Sequence, residues 1–189
     1  MSITRDQLED LVKKGLVPDI FKMERAYSLL KTIGANASAI NARGAGNLGE
    51  LFGALQIALQ TDAILAAARL YDPPSKKYPT RCISGLLDFL ERNCSNLPPI
   101  KEIYNLKKEL SRIGMSPQVI SLATTDEIAF AMELVKHFRV ILDDPQIIST
   151  VNGLKDIRDK AIAHNEQAAH IQGPTWCGLK ELIDRKSVV

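Results

Sequence analysis

Apolar residues recur every three to four positions along most of the chain, which is the spacing of one face of an α-helix. Few stretches are rich in Val, Thr and aromatic residues together, which disfavours a sheet. The sequence therefore predicts an all-α bundle of six to seven helices. These span approximately residues 4–15, 18–43, 47–71, 80–97, 101–112, 125–142 and 145–167.

The third predicted helix, residues 47–71, is apolar nearly all round, which is typical of a helix at the centre of a bundle. Its most apolar stretch still contains Glu50, Asp62 and Arg69, which a membrane span tolerates poorly. No positively charged start leads into an apolar run, so no secretory signal is predicted. We expect a cytoplasmic protein without a membrane partner.

The chain has 189 residues, and single hydrophobic cores commonly serve chains of about this length. We expect one domain over residues 1–189, with a peripheral hairpin around residues 80–113. A short C-terminal tail, residues 168–189, is expected to pack through Trp176 and Leu179. Hydrophobic residues make up 46% of the chain, which is enough for a sizeable core.

The net charge is only +2, so any binding of nucleic acid has to be local. The three cysteines, Cys82, Cys94 and Cys177, have no histidine spaced as a zinc ligand and are odd in number. Neither a disulfide framework nor a metal site is indicated. We expect no cofactor.

Residues 44–49 match the glycine spacing of dinucleotide-binding loops. Such a loop follows a strand and opens a βαβ unit, whereas helices flank this one on both sides. We interpret residues 44–49 as a helix-breaking turn.

Asp62 and Arg69 lie seven residues apart, and therefore on one face of an otherwise apolar helix. One interpretation is an ion pair or hydrogen-bonded cluster that fixes helix register. The alternative places one of them beside a site on the last long helix. Structural ion pairs are common, which favours the first interpretation.

Arg158 and His164 lie near the end of the last long helix, in the segment RDKAIAHNE. Six steps of an α-helix turn a side chain by about 120° and raise it by about 9 Å, so the two side chains would flank a groove. Taken alone, His164 would be a core or interface histidine. With Arg158 beside it, the pair is suited to hold a phosphate group.

An arginine followed after four to six residues by a histidine, near the end of the last core helix, resembles the signature of the HEPN superfamily. Asp159 supplies the polar residue that often follows the arginine. The branch involved in phage abortive infection is the most similar. That similarity rests on residues 69–72, which close a long apolar helix, and on the spacing within residues 158–164.

The resemblance implies a metal-independent endoribonuclease that acts as a phage-defence or toxin effector. Arg158 would bind the scissile phosphate, and His164 would be the general acid or base at the interface of a homodimer. Asp159, Lys160 and Asn165, together with Asp62 and Arg69, would surround this site. RNA would be the substrate, and a nucleotidyltransferase-type antitoxin a possible partner.

Two alternatives remain open from the sequence. A HEPN scaffold without catalysis would bind nucleotide, RNA or a partner protein. A helical dimerisation module would use His164 only for packing.

Overall fold

The helical arrangement comes from a computed structural model, which describes residues 3–43, 47–73, 80–97, 103–112, 114–163, 178–180 and 182. No strand occurs in these ranges, and the predicted all-α class is confirmed. The α-helices are α1 Ile3–Leu11, α2 Val17–Ala35, α3 Ala37–Arg43, α4 Asn47–Tyr71, α5 Ile83–Asn93, α6 Ile103–Arg112, α7 Pro117–Thr125, α8 Glu127–Leu142 and α9 Pro145–Asp156. Two π-helical segments, Val12–Leu16 and Ile157–Ala163, continue α1 and α9.

The antiparallel pair of α2 and α4 forms the centre of the main core. Small residues on α4 bring the two backbones close together. Ala63, Ala66 and Ala67 are fully buried there, in the same cluster as Met23 and Ala26 of α2. Close packing of this kind removes apolar surface from water and excludes voids.

The two halves of α4 differ in burial, which corrects the expectation that the whole helix is central. Its C-terminal half is buried, whereas four large apolar residues of its N-terminal half are exposed: Leu48, Leu51, Leu55 and Ile57. Leu48–Tyr71 is long and apolar enough to cross a membrane, and 28% of its most apolar window is buried. A single helix with these properties is weak evidence of a membrane span.

The first π segment replaces the predicted break at Gly15. Pro18 has no N–H group, and its ring would clash with a carbonyl one turn earlier in a regular α-helix. The wider turn accommodates it, because the N–H of Val17 donates to the carbonyl of Val12, five residues back. The prediction that a helix ends near Gly15 is wrong, since helical backbone continues from α1 into α2.

Helix α7 was not predicted, because Ser116 and Pro117 resemble a loop in the sequence. In the structure the two residues start the helix, with Pro117 at its first turn. The Ser116 hydroxyl accepts a hydrogen bond from the N–H of Val119 at 3.3 Å. The cap of α5 was also placed incorrectly. It is Cys82, whose Sγ accepts from the N–H of Gly85 at 3.3 Å, and not Thr80.

Helices α5 and α6 belong to different hydrophobic clusters. Ile83, Leu86 and Leu87 of α5 lie in the main core, whereas Leu110 of α6 packs in a second cluster with Phe130 of α8. The segment 80–113 is therefore divided between the two clusters, and α5 is not peripheral.

The end of the chain contributes to the main core through Leu179 and Leu182, which are both buried. The Tyr71 hydroxyl donates to the carbonyl of Leu182 at 3.2 Å. Packing through Leu179 is therefore confirmed, and Trp176 lies outside the described residues. These contacts connect the C-terminal segment to the end of α4, where the candidate site lies.

Gly15 and Gly53 provide a matched test of this packing. A Cβ at Gly15 would lie 2.2 Å from the Cβ of Arg81, whereas one at Gly53 would have nothing within 4 Å. We expect Gly15→Ala to lower the free energy of unfolding by about 1–3 kcal/mol through overpacking. Gly53→Ala should raise it by about 0.5–1 kcal/mol, because alanine favours the helix. Denaturant unfolding measures both, and equal shifts would contradict the close approach of Arg81.

Candidate functional site

Helix α9 begins as the sequence predicts, with Asp144 as its cap and Pro145 as its first residue. The Asp144 carboxylate accepts from the N–H of Gln146 at 2.8 Å. The helix passes Gly153 without a break and changes to π winding at Ile157. The angle of about 120° expected between Arg158 and His164 assumed an α-helix. It therefore does not apply to this segment.

Arg158 is held between two carboxylates. Its Nε donates to Oδ1 of Asp159 at 2.7 Å, and its Nη1 donates to Oδ2 of Asp72 at 2.5 Å. The side chains of Arg158 and Asp72 are only 22% and 19% exposed, so water screens this pair weakly. The contact with Asp72 fixes the second π segment against the end of α4.

The position of Asp72 is electrostatically unfavourable without Arg158. Asp72 directly follows α4, and the C-terminal end of a helix carries a partial negative charge that repels a carboxylate. The guanidinium of Arg158 compensates for this repulsion. Its own pKa is raised above the ordinary value, first by the hydrogen bond to Asp159 and also by Asp72. Arg158 therefore stays charged at every physiological pH.

The Nη2 group of Arg158 has no hydrogen-bond partner among the described residues. A phosphate oxygen would therefore accept hydrogen bonds from the two N–H donors of this Nη2 group. A two-point grip on phosphate also needs Nε or Nη1. A grip through Nε would require Asp159 to move, whereas Nη1 keeps a second N–H besides the one bonded to Asp72.

Asp62 and Arg69 are bonded to α2 and not to each other. Lys22 Nζ lies 3.2 Å from Asp62 Oδ1, while the guanidinium of Arg69 donates three hydrogen bonds to Asp19. Both pairs fix the register of α4 against α2. Hydrogen bonding to Asp19 raises the pKa of Arg69, and the charges of Asp62 and Asp72 add to this effect. Arg69 therefore lies within the electrostatic range of the Asp72–Arg158 pair.

The remaining predicted site residues are Lys160, His164 and Asn165. Lys160 Nζ lies 3.4 Å from Asp156 Oδ2, one turn back on its own helix, and is partly exposed. His164 and Asn165 lie outside the described residues. No group of three His, Cys, Asp or Glu side chains is placed to hold a metal ion in the described part of the chain.

Sequence analysis missed the role of Asp72 and the cavity beside it. A cavity of about 340 Å³, here called the junction cavity, lies between the first π segment, the end of α4 and the start of α5. Its polar lining residues are Lys14, Asp19, Arg69, Asp72, Thr80 and Arg81. One feature of the sequence indicates Asp72, because an acidic residue directly after a long helix needs a cation.

An all-α bundle whose last long helix carries a partly buried arginine is consistent with the HEPN class. The family model described as HEPN_AbiU2, AbiU2, matches residues 5–185. The chain therefore belongs to this HEPN-type abortive-infection family, and the HEPN resemblance is confirmed. No curated protein and no solved structure matches the chain.

The Asp72–Arg158 pair should contribute more to stability than an exposed pair. In a double-mutant cycle of Asp72→Asn and Arg158→Gln, we expect a coupling free energy of about 1–3 kcal/mol. The matched cycle uses Lys136 and Glu133, which lie on the surface of α8 at 3.7 Å. That cycle should give below about 0.5 kcal/mol. Equal coupling in the two cycles would show that Arg158 is not held by Asp72.

Proposed function

We propose that this protein is an endoribonuclease of the HEPN type that acts in abortive infection, as a phage-defence or toxin effector. Family membership supports the HEPN-related role. The observation that carries the proposal is the placement of Arg158. A guanidinium fixed by two carboxylates, with one amino group left without a described partner, is suited to orient a phosphate.

The proposed reaction is attack by a ribose 2′-hydroxyl on the adjacent phosphorus. His164 removes the proton from the 2′-oxygen as the new P–O bond forms, since an imidazole group suits proton transfer near neutral pH. Arg158 stabilises the negative charge on the phosphate oxygens. The bond to the 5′-oxygen breaks, and the products are a 2′,3′-cyclic phosphate and a 5′-hydroxyl.

The departing 5′-oxygen has to receive a proton, and each chain has only one histidine in the motif. We therefore propose a homodimer in which His164 of one protomer is the base and that of its partner is the acid. In this proposal Asp159 does not contact the phosphate directly. Its carboxylate accepts a hydrogen bond from Nε of Arg158 and orients the guanidinium.

A second candidate function is a HEPN scaffold that binds nucleotide, RNA or a partner protein without cleaving it. The two carboxylates on Arg158 favour this candidate, because they occupy Nε and one N–H of Nη1, which would otherwise stabilise the charge that develops on the phosphate during cleavage. RNA binding without turnover by the purified protein would distinguish it from the nuclease.

We expect Arg158→Lys and His164→Ala each to lower the rate of RNA cleavage by about 10²- to 10⁴-fold. Lysine keeps the charge of Arg158 and loses its planar fork, so this variant separates geometry from charge. His137→Ala is the matched control, because His137 lies on α8, where its ring contacts Phe138. Cleavage that is lost equally in the His137 variant would contradict the assignment of His164.

Cleavage should persist in excess EDTA and leave a 2′,3′-cyclic phosphate, because the proposed groups are an imidazole and a guanidinium. RNA with 2′-O-methyl groups should give no product. Mass spectrometry of the products tests both expectations. Activity that EDTA abolishes and a divalent ion restores would point to a metal-dependent nuclease instead.

Mixed dimers test the division of roles between two histidines. Heterodimers of wild-type and His164→Ala chains should retain well under half of the wild-type activity per dimer, since acid and base come from different protomers. Light scattering checks that the wild-type protein is a dimer. Half or more of the activity in the heterodimer would contradict the shared site.

A further inference from the structure

The junction cavity adjoins the proposed catalytic arginine through one shared side chain. Asp72 lines the cavity and also accepts the hydrogen bond from Nη1 of Arg158. The cavity and Arg158 therefore lie on either side of one carboxylate. We propose that the junction cavity is a subsite for a backbone phosphate of the RNA, next to the scissile phosphate. This inference rests on the proposed endoribonuclease function.

The charge of the cavity wall fits a phosphate. Lys14 and Arg81 share the single carboxylate of Asp10. Lys14 Nζ lies 3.3 Å from Oδ1, while Arg81 donates from Nε at 2.8 Å and from Nη2 at 3.2 Å. Two cations on one carboxylate leave an excess positive charge at this wall, since the two acidic lining residues, Asp19 and Asp72, are paired with Arg69 and Arg158. Lys14 is also 74% exposed, so its remaining ammonium donors face solvent and suit an incoming anion.

The shape of the cavity depends on the two π segments. The first π segment provides Lys14 and Gly15 to its wall, and the second carries Arg158, which holds Asp72 in place. The missing side chain of Gly15 leaves room for Arg81 to lie against the helix. Segments of π winding inside α-helices occur frequently at functional sites. Here the first π segment lines the cavity, and the second holds Asp72, which also lines it.

The size of the cavity favours part of a nucleotide over a lone ion. Its volume of about 340 Å³ is at the lower end of the range of ligand pockets, about 300–1,000 Å³. A phosphate with its ribose fits such a volume. Nε and Nη2 of Arg81 are bonded to Asp10, so its Nη1 group is the part of the guanidinium that would donate to the phosphate. The expected contact is with the backbone, so it does not select a base.

Lys14 and Lys13 are a matched pair of variants for the test. Lys13 pairs with Glu9 at 3.2 Å and is 68% exposed, so it resembles Lys14 in charge, pairing and exposure. Lys13 does not line the junction cavity. Replacing either lysine by alanine removes one exposed charge, and neither replacement leaves a cavity in the core. A difference in RNA affinity between Lys14→Ala and Lys13→Ala would therefore show that the position of the lysine matters, and not only its charge.

The probe is a short single-stranded RNA with 2′-O-methyl groups, which binds without being cleaved. Fluorescence anisotropy at several salt concentrations gives the Kd and its salt dependence. We expect Lys14→Ala to weaken binding roughly three- to tenfold and to reduce the slope of log K against log salt by about 0.7. Lys13→Ala should leave the slope unchanged. Equal effects of the two variants would overturn the subsite.

Cleavage of unmodified RNA separates the subsite from the nuclease proposal. Lys14→Ala should raise KM and leave kcat nearly unchanged, because the lost contact is present in both ground state and transition state. Binding that depends on Lys14 in a wild-type protein that does not cleave RNA would support the subsite and contradict the nuclease. Wild-type protein that binds no RNA would overturn both.

A free nucleotide has the same phosphate chemistry, so adenosine 5′-monophosphate is the second probe. The RNA subsite predicts that this nucleotide competes weakly and that RNA binding depends on Lys14. Nucleotide binding that depends on Lys14, combined with RNA binding that does not, would overturn the assignment to RNA.

Discussion

The candidate site depends on one ion pair between distant parts of the chain, Asp72 and Arg158. The pair connects the C-terminal end of the longest described helix to the second π segment. It has two effects, because it neutralises a carboxylate at the negative end of α4 and also restricts the guanidinium to one orientation. Few side-chain conformations then remain for the group that would contact phosphate, which lowers the entropic cost of binding.

This ion pair depends on the position of α4, which is set by its packing against α2. Three alanines allow the two helices to pack closely, and the Asp19–Arg69 and Lys22–Asp62 pairs fix their register at the surface. A shift of α4 along its axis would move Asp72 away from Arg158. The direct contacts of Asp62 and Arg69 are therefore structural. Arg69 also adds positive charge near Asp72.

The sequence predicted the helical class, the bounds of α4 and the cap of α9, because each depends on local periodicity or on a capping residue. It did not predict the π segments. Their backbone hydrogen bonds reach five residues back and not four, and this change leaves no mark in the hydrophobic pattern. It also missed α7, whose start resembles a turn. The partner of Arg158 lies 86 residues away in the chain. Such a contact follows from packing and not from spacing.

The winding of the second π segment bears on the spacing between the motif's arginine and histidine. A π turn takes up about one residue more than an α turn, because each N–H bonds five residues back and not four. Six steps along a π-wound chain therefore rotate through nearly the same angle as five steps along an α-helix. The described π winding runs from Ile157 to Ala163, next to His164. A π segment can therefore absorb an inserted residue, so the number of residues between two groups is by itself a poor guide to the angle between them.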